Sequence, residues 1–178
     1  MSTQDFRVSL NEIMPLIIEQ LRQGETVRLT VKGVSMQPFL KNGQDAIFMV
    51  SPENRVPQCG DLFMFERPGA GYAMHRVCAV HEGGMLDFIG DNQLIVEKNV
   101  SAACLVAYVP QVERKGKIID CQKGFLRRYM TLRMRCRVKC PGFFRTFYRC
   151  KRAIVKVLVL PLRVLSRLFK KAKGTKDE

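Results

Sequence analysis

The sequence predicts a mainly β (α+β) fold with one leading helix and a basic C-terminal helical tail. Three observations carry this expectation. Between residues 25 and 110, short apolar runs of strand length recur between turns rich in Gly and Pro. Ahead of them, a single stretch repeats its apolar residues at helical spacing. Finally, the charge changes abruptly near Cys121. Residues 1–121 hold 12 Lys+Arg against 14 Asp+Glu, a net of −2, whereas residues 122–178 hold 18 against 2, a net of +16. The 178 residues therefore divide into a near-neutral domain, 1–121, and a basic tail, 122–178.

Taken in order, Ser9 to Arg22 is expected as an amphipathic helix. Ser9 and Glu12 have capping-box spacing, and Ile13, Leu16, Ile17 and Leu21 fall at helical intervals. Pro15 predicts a kink or a later start, and Gly24 a stop. From Glu25 to Val31, apolar Val27, Leu29 and Val31 alternate with Arg28 and Thr30, as in a half-buried strand. Gly33 permits a sharp bend and Pro38 stiffens the exit, so Lys32 to Leu40 reads as a tight turn presenting Ser35. Asp45–Val50 is a short strand, followed by a loop marked by Pro52, Asn54 and Pro57. Gly60-Asp61 opens a strand over Leu62–Glu66, and Pro68, Gly69 and Gly71 turn the chain into a longer strand, Tyr72–His81. Glu82-Gly83-Gly84 is a hairpin signal before Met85–Ile89. After the turn Gly90-Asp91-Asn92, Ala102–Val109 closes the sheet and Pro110 ends it.

Beyond Cys121, Gly124–Lys139 and the stretch from Arg145 onward read as two basic helices divided by Pro141-Gly142. In the second, Arg145, Arg149, Arg152, Lys156, Arg163, Arg167 and Lys170 fall at intervals of 3, 4 or 7, with Phe and Leu covering the rest and Pro161 interrupting. A basic amphipathic helix of this kind suits an anionic membrane surface, here through residues 143–170. A solvated basic face whose apolar side packs on the protein's own core or on a partner is the alternative. No recognised nucleic-acid module accompanies the charge, so specific nucleic-acid binding is not expected.

The chemistry centres on Ser35. A serine becomes a nucleophile when a base lies within hydrogen-bond reach, and imidazole titrates near neutrality. The segments Gly33-Val34-Ser35-Met36-Gln37-Pro38, Gly60-Asp61-Leu62-Phe63, Met74-His75-Arg76-Val77 and Gly90-Asp91-Asn92 occur in this order within residues 26–110. In order and spacing they resemble the boxes of the signal peptidase and LexA-type serine peptidase clan. Histidine rather than lysine at the base position resembles the Ser-His branch, the endoplasmic-reticulum, archaeal and sporulation-type signal peptidases. The resemblance implies a signal-peptidase-like β core and a serine endopeptidase that cleaves a leader or signal-type peptide after small residues, with no metal or organic cofactor. It implies Ser35 as nucleophile and His75 as general base. Asp91 is the first candidate to orient the imidazole. Glu97 is the second; relatives carry an acidic residue, usually aspartate, at about its place. One departure is Gly33, where many relatives have a serine whose hydroxyl assists the oxyanion. Either backbone donors act alone here, or the glycine serves the bend.

Asp61 and Arg76 are expected in structural roles, and His81 at the surface by a hairpin. The seven cysteines are odd in number, without a Cys-x-x-Cys pair, and read mostly as small buried hydrophobes in a reducing compartment. No signal peptide and no apolar run of spanning length is evident, so the expected location is the cytoplasm or the membrane face bordering it. The rival function is a non-catalytic peptide-binding module docked by its basic tail on a membrane or an acidic partner. A LexA-like self-cleaving regulator fits less well, because the base is not lysine and no helix-turn-helix precedes the serine box.

Overall fold

The computed structural model describes residues 10–53 and 55–146, with the side chain of Leu126 excepted. Two compact units are present, Met1–Lys139 and Cys140–Glu178. The first is mainly an antiparallel sheet flanked by helices.

Helix α1 spans Leu10–Arg22. Its apolar spacing places Met14, Ile17 and Leu21 in the core, each contributing about 1.5–3 kcal/mol by burial. Pro15 sits inside the helix without ending it. Both Pro15 and Asn11, whose carbonyl loses the helical bond, are exposed, so water can reach the freed oxygen. The proposed Ser9 cap lies outside the described residues.

Eight strands follow: β1 Val27–Thr30, β2 Asp45–Val50, β3 Leu62–Arg67, β4 Gly71–Val80, β5 Met85–Ile89, β6 Glu97–Ser101, β7 Leu105–Arg114 and β8 Lys117–Asp120. Their order is β1-β2-β7-β3-β4-β5-β6, with β8 paired to β7. Period-two alternation on β3 sends Leu62 and Met64 into one core cluster and Phe63 and Phe65 into another. Both of its faces are covered, which explains its continuous apolar run.

Three features depart from the expected pattern. β6, Glu-Lys-Asn-Val-Ser, was not expected, because four of its five residues are polar. β7 runs through Pro110 rather than ending there. Its register against β2 shifts between Tyr108 and Gln111, so Pro110 lies at a bulge where no ladder N–H is required. The unexpected hairpin to β8 turns on Lys115 and Gly116, both at positive φ (51° and 73°), the geometry of a type I′ turn.

Helix α2, Gly124–Lys139, is part of the first unit, so that unit extends past the composition change at Cys121. Its Met130 and Met134 are buried, and so is Arg137. The opposite face leaves Phe125, Tyr129 and Leu132 exposed, with the Phe125 and Tyr129 rings stacked 6.2 Å apart. In the second unit, residues 141–146 are helical, and the tail positions from 147 onward lie outside the described residues. Among the described residues, no helix is long and apolar enough to cross a membrane.

Candidate functional site

The Ser35 turn is held from below and opened above. Met36, Phe39 and Leu40 are buried, while Val34 is 57% exposed and Ser35 is partly so. Gly33 has φ +104° and donates its N–H to Asn42 Oδ1 at 3.0 Å. A Cβ at Gly33 would meet nothing within 4 Å, so the backbone angle, not space, calls for glycine there. The bend therefore accounts for the missing serine. The Gln37–Pro38 peptide is cis.

The Gly90-Asp91-Asn92 turn is fastened to this one. Asn92 donates its backbone N–H to the Ser35 carbonyl at 2.7 Å and its side-chain amide to the Val34 carbonyl at 3.2 Å. Gly90 makes the approach possible. A Cβ there would lie 2.9 Å from the Ser35 carbonyl oxygen and 2.8 Å from the Gln93 side chain.

His75 stands on β4, opposite Phe63 of β3, and is only 2% exposed. Its ring lies 6.1 Å from that of Phe65. His75 and Ser35 line one cavity of about 300 Å³, together with apolar Leu29, Val31, Met36, Met64 and Met74 and with Arg67 and Gln93. Burial holds the His75 pKa below its usual 6.5, and the positive charge of Arg67 acts the same way; Glu97 and Asp91 pull against them. At neutral pH the ring is thus free to accept a proton.

The two candidate orienting carboxylates have different neighbours. Glu97, the first residue of β6, places Oε1 2.6 Å from His75 Nδ1. The contact is close but poorly aligned, and Nδ1 has no hydrogen-bond partner of good geometry. Asp91 is instead gripped by Arg76, whose Nε and Nη2 donate to its two oxygens at 3.1 and 2.8 Å. Arg137 Nη2 lies 3.6 Å from the same carboxylate. The first-ranked orienter in the sequence is thus committed to two arginines, and the carboxylate on the imidazole is the second-ranked one.

Several residues around the site carried no motif signal. Arg67 donates Nε to Glu97 Oε2 and Nη2 to Oε1, both at 2.6 Å. Arg137 donates Nη1 to the carbonyls of Gly90 and Gln93, and Arg133 donates to that of Asp91. Arginines in a basic helix read as surface charge, and only the tertiary contact with the 90–93 turn distinguishes these two. Asp61 pairs with Arg55 at 2.8 Å and Arg127 at 3.2 Å, a structural arrangement. His81 is half-exposed and lies 3.1 Å from Asp87.

The described cysteines are free thiols. Cys121 alone among them is buried, and burial pushes its pKa up to about 12. Cys59, Cys78 and Cys104 are half-buried and Cys136 and Cys140 exposed, so the expectation of mostly buried cysteines does not hold for these. Cys136 is exposed because it follows Leu132 by four residues on the outward face of α2, away from buried Met130 and Met134. Among the described residues, no cluster of His, Cys, Asp or Glu is arranged to hold a metal ion. Compared with protein-family models and with curated proteins, the chain matches none.

Proposed function

We propose that this chain is a serine endopeptidase with a signal-peptidase-like β core, acting through Ser35, His75 and Glu97. The observation that carries the reading is that Ser35 and His75 line one cavity, with a carboxylate oxygen 2.6 Å from Nδ1 of the imidazole. His75 takes the Ser35 proton as the hydroxyl attacks the scissile carbonyl, then returns it to the leaving amine. Glu97 orients the ring and offsets the charge of the imidazolium. Backbone N–H groups of the turn, that of Ser35 among them, receive the carbonyl charge, since Gly33 brings no hydroxyl.

The substrate on this reading is a leader or signal-type peptide cleaved after a small residue. The specificity comes from the family resemblance of the ordered boxes. The exposed face of α2 supports a working position on an anionic membrane surface. There Phe125, Tyr129 and Leu132 share one stripe with Arg128, Arg135 and Lys139.

The deciding experiment is digestion of a peptide library rich in Ala-x-Ala sites, read by mass spectrometry, with Ser35→Ala and His75→Ala in parallel. Cuts after small residues that vanish in both variants are expected. An unchanged rate in Ser35→Ala would remove the reading, leaving the peptide-binding module, which predicts peptide retention by the double variant and no turnover by the parent.

A further inference from the structure

We propose that Arg67 is a positioning residue, whose guanidinium fixes the Glu97 carboxylate against His75 Nδ1 and shares its charge. Its catalytic meaning rests on the peptidase reading; its geometry does not.

Arg67 is the last residue of β3 and Glu97 the first of β6, and two strands, β4 and β5, separate these in the sheet. No ladder pairing therefore fixes one against the other, and the side chains bridge the gap. The guanidinium engages both carboxylate oxygens at 2.6 Å. Such a fork sets the plane of the carboxylate as well as its position. Oε1, one of the two oxygens so held, is the atom 2.6 Å from His75 Nδ1. The Arg67 guanidinium is itself placed over the Phe65 ring, 5.8 Å from its centroid.

The charged groups acting on His75 come from three directions: Glu97 on β6, Asp91 in the 90–93 turn and Arg67 on β3. Lys32, which also lines the cavity, is exposed. Glu97 and Asp91 favour the imidazolium, whereas Arg67 and burial disfavour it. Asp91 has its own arginines, so the balance at the ring turns on how much of the Glu97 charge Arg67 takes up. Removing Arg67 leaves Glu97 free to turn about its side-chain bonds and directs its whole charge at the imidazole. A lysine would restore the charge but could not hold both oxygens.

The test uses NMR titration of the imidazoles in the full chain. With only His75 and His81 present, His81→Gln assigns the two signals. Arg67→Gln is expected to raise the His75 midpoint, and Arg67→Lys to return it toward that of the parent. In turnover, Arg67→Gln lowers kcat and moves the acid limb to higher pH, while Arg67→Lys lowers kcat and leaves the limb in place. A His75 midpoint unmoved or lowered in a folded Arg67→Gln would overturn the proposal. Should that variant not fold, parental kcat in Arg67→Lys would overturn it equally. Absence of turnover in the parent would count against the peptidase reading alone, because the imidazole titration needs no substrate.

Discussion

Asp91 and Glu97 are both acidic and six residues apart, yet their surroundings ask different things of them. Asp91 is wholly buried between Arg76 and Arg137, and Arg76 is only 1% exposed. Asp91→Asn leaves buried cationic charge without its counter-charge. The expected loss is about 3–5 kcal/mol of stability, read by urea denaturation. Glu97 is a quarter exposed at the rim of the sheet. Glu97→Gln should leave the urea midpoint nearly unchanged and lower kcat by roughly 10²–10⁴-fold. The reverse pattern would return the orienting role to Asp91. His75 adds a pH signature. Its folded pKa lies below the unfolded value near 6.5, so protonation disfavours the folded state. The stability contribution is present above about 6.5 and is lost as pH falls through the lower folded value. The acid limb of activity, set by the same neutral ring, should likewise lie below 6.5, and a limb above it would show a different base. Ser35 and His75 stand out as candidates in the sequence because each stands in a short box of distinctive neighbours, and the structure puts both on the lining of one cavity. Which carboxylate meets the ring is not legible in the sequence, because it depends on which arginines claim the other.

The elements explain why that choice was hidden. Glu97 reaches His75 because β6 pairs with β5, with Glu97 opposite Phe88. β6 has a single apolar residue, so it leaves no period-two signal, and its pairing partner alone makes it a strand. The continuation of β7 past Pro110 and the hairpin to β8 were hidden differently: Pro110 reads as a stop but falls at a bulge, and Lys115 adopts a positive φ more often taken by Asn or Gly. By contrast, α1 and the apolar strands β2 to β5 are legible because burial on one or both faces imposes the pattern. At the level of turns, the 90–93 segment serves as a strut under the Ser35 turn. Gly90→Ala would force a methyl against the Ser35 carbonyl oxygen. The expected result is a loss of turnover larger than any loss of stability, measured as kcat beside a thermal melt. Unaltered kcat would show that the two turns move independently.

Across the whole molecule, charge is sorted by helix face as well as along the chain. On α2, the face bearing Arg127, Arg133 and Arg137 is turned to the 61 and 90–93 turns, so three of its cations neutralise or cap internal acceptors. The composition change near Cys121 therefore marks no structural boundary, although it is the plainest feature of the sequence. The outward stripe, Phe125, Arg128, Tyr129, Leu132, Arg135 and Lys139, is exposed among the described residues. Phe125 is 82% exposed, and burying its ring in an interface would add to the attraction of the cations for anionic headgroups. Each cation near such a leaflet contributes on the order of 1 kcal/mol, so Gln at Arg128, Arg135 and Lys139 together should weaken binding by about 3 kcal/mol, or roughly 10²-fold. Co-sedimentation of the full chain with phosphatidylserine vesicles and with neutral phosphatidylcholine vesicles checks this. The parent should favour the anionic set, and less so at high salt as the Debye length shrinks. The triple variant and Phe125→Ala should each reduce the bound fraction without touching the buried face of the helix. Equal binding to both lipids, or a triple variant that binds as the parent does, would place the membrane contact elsewhere in the chain or exclude it.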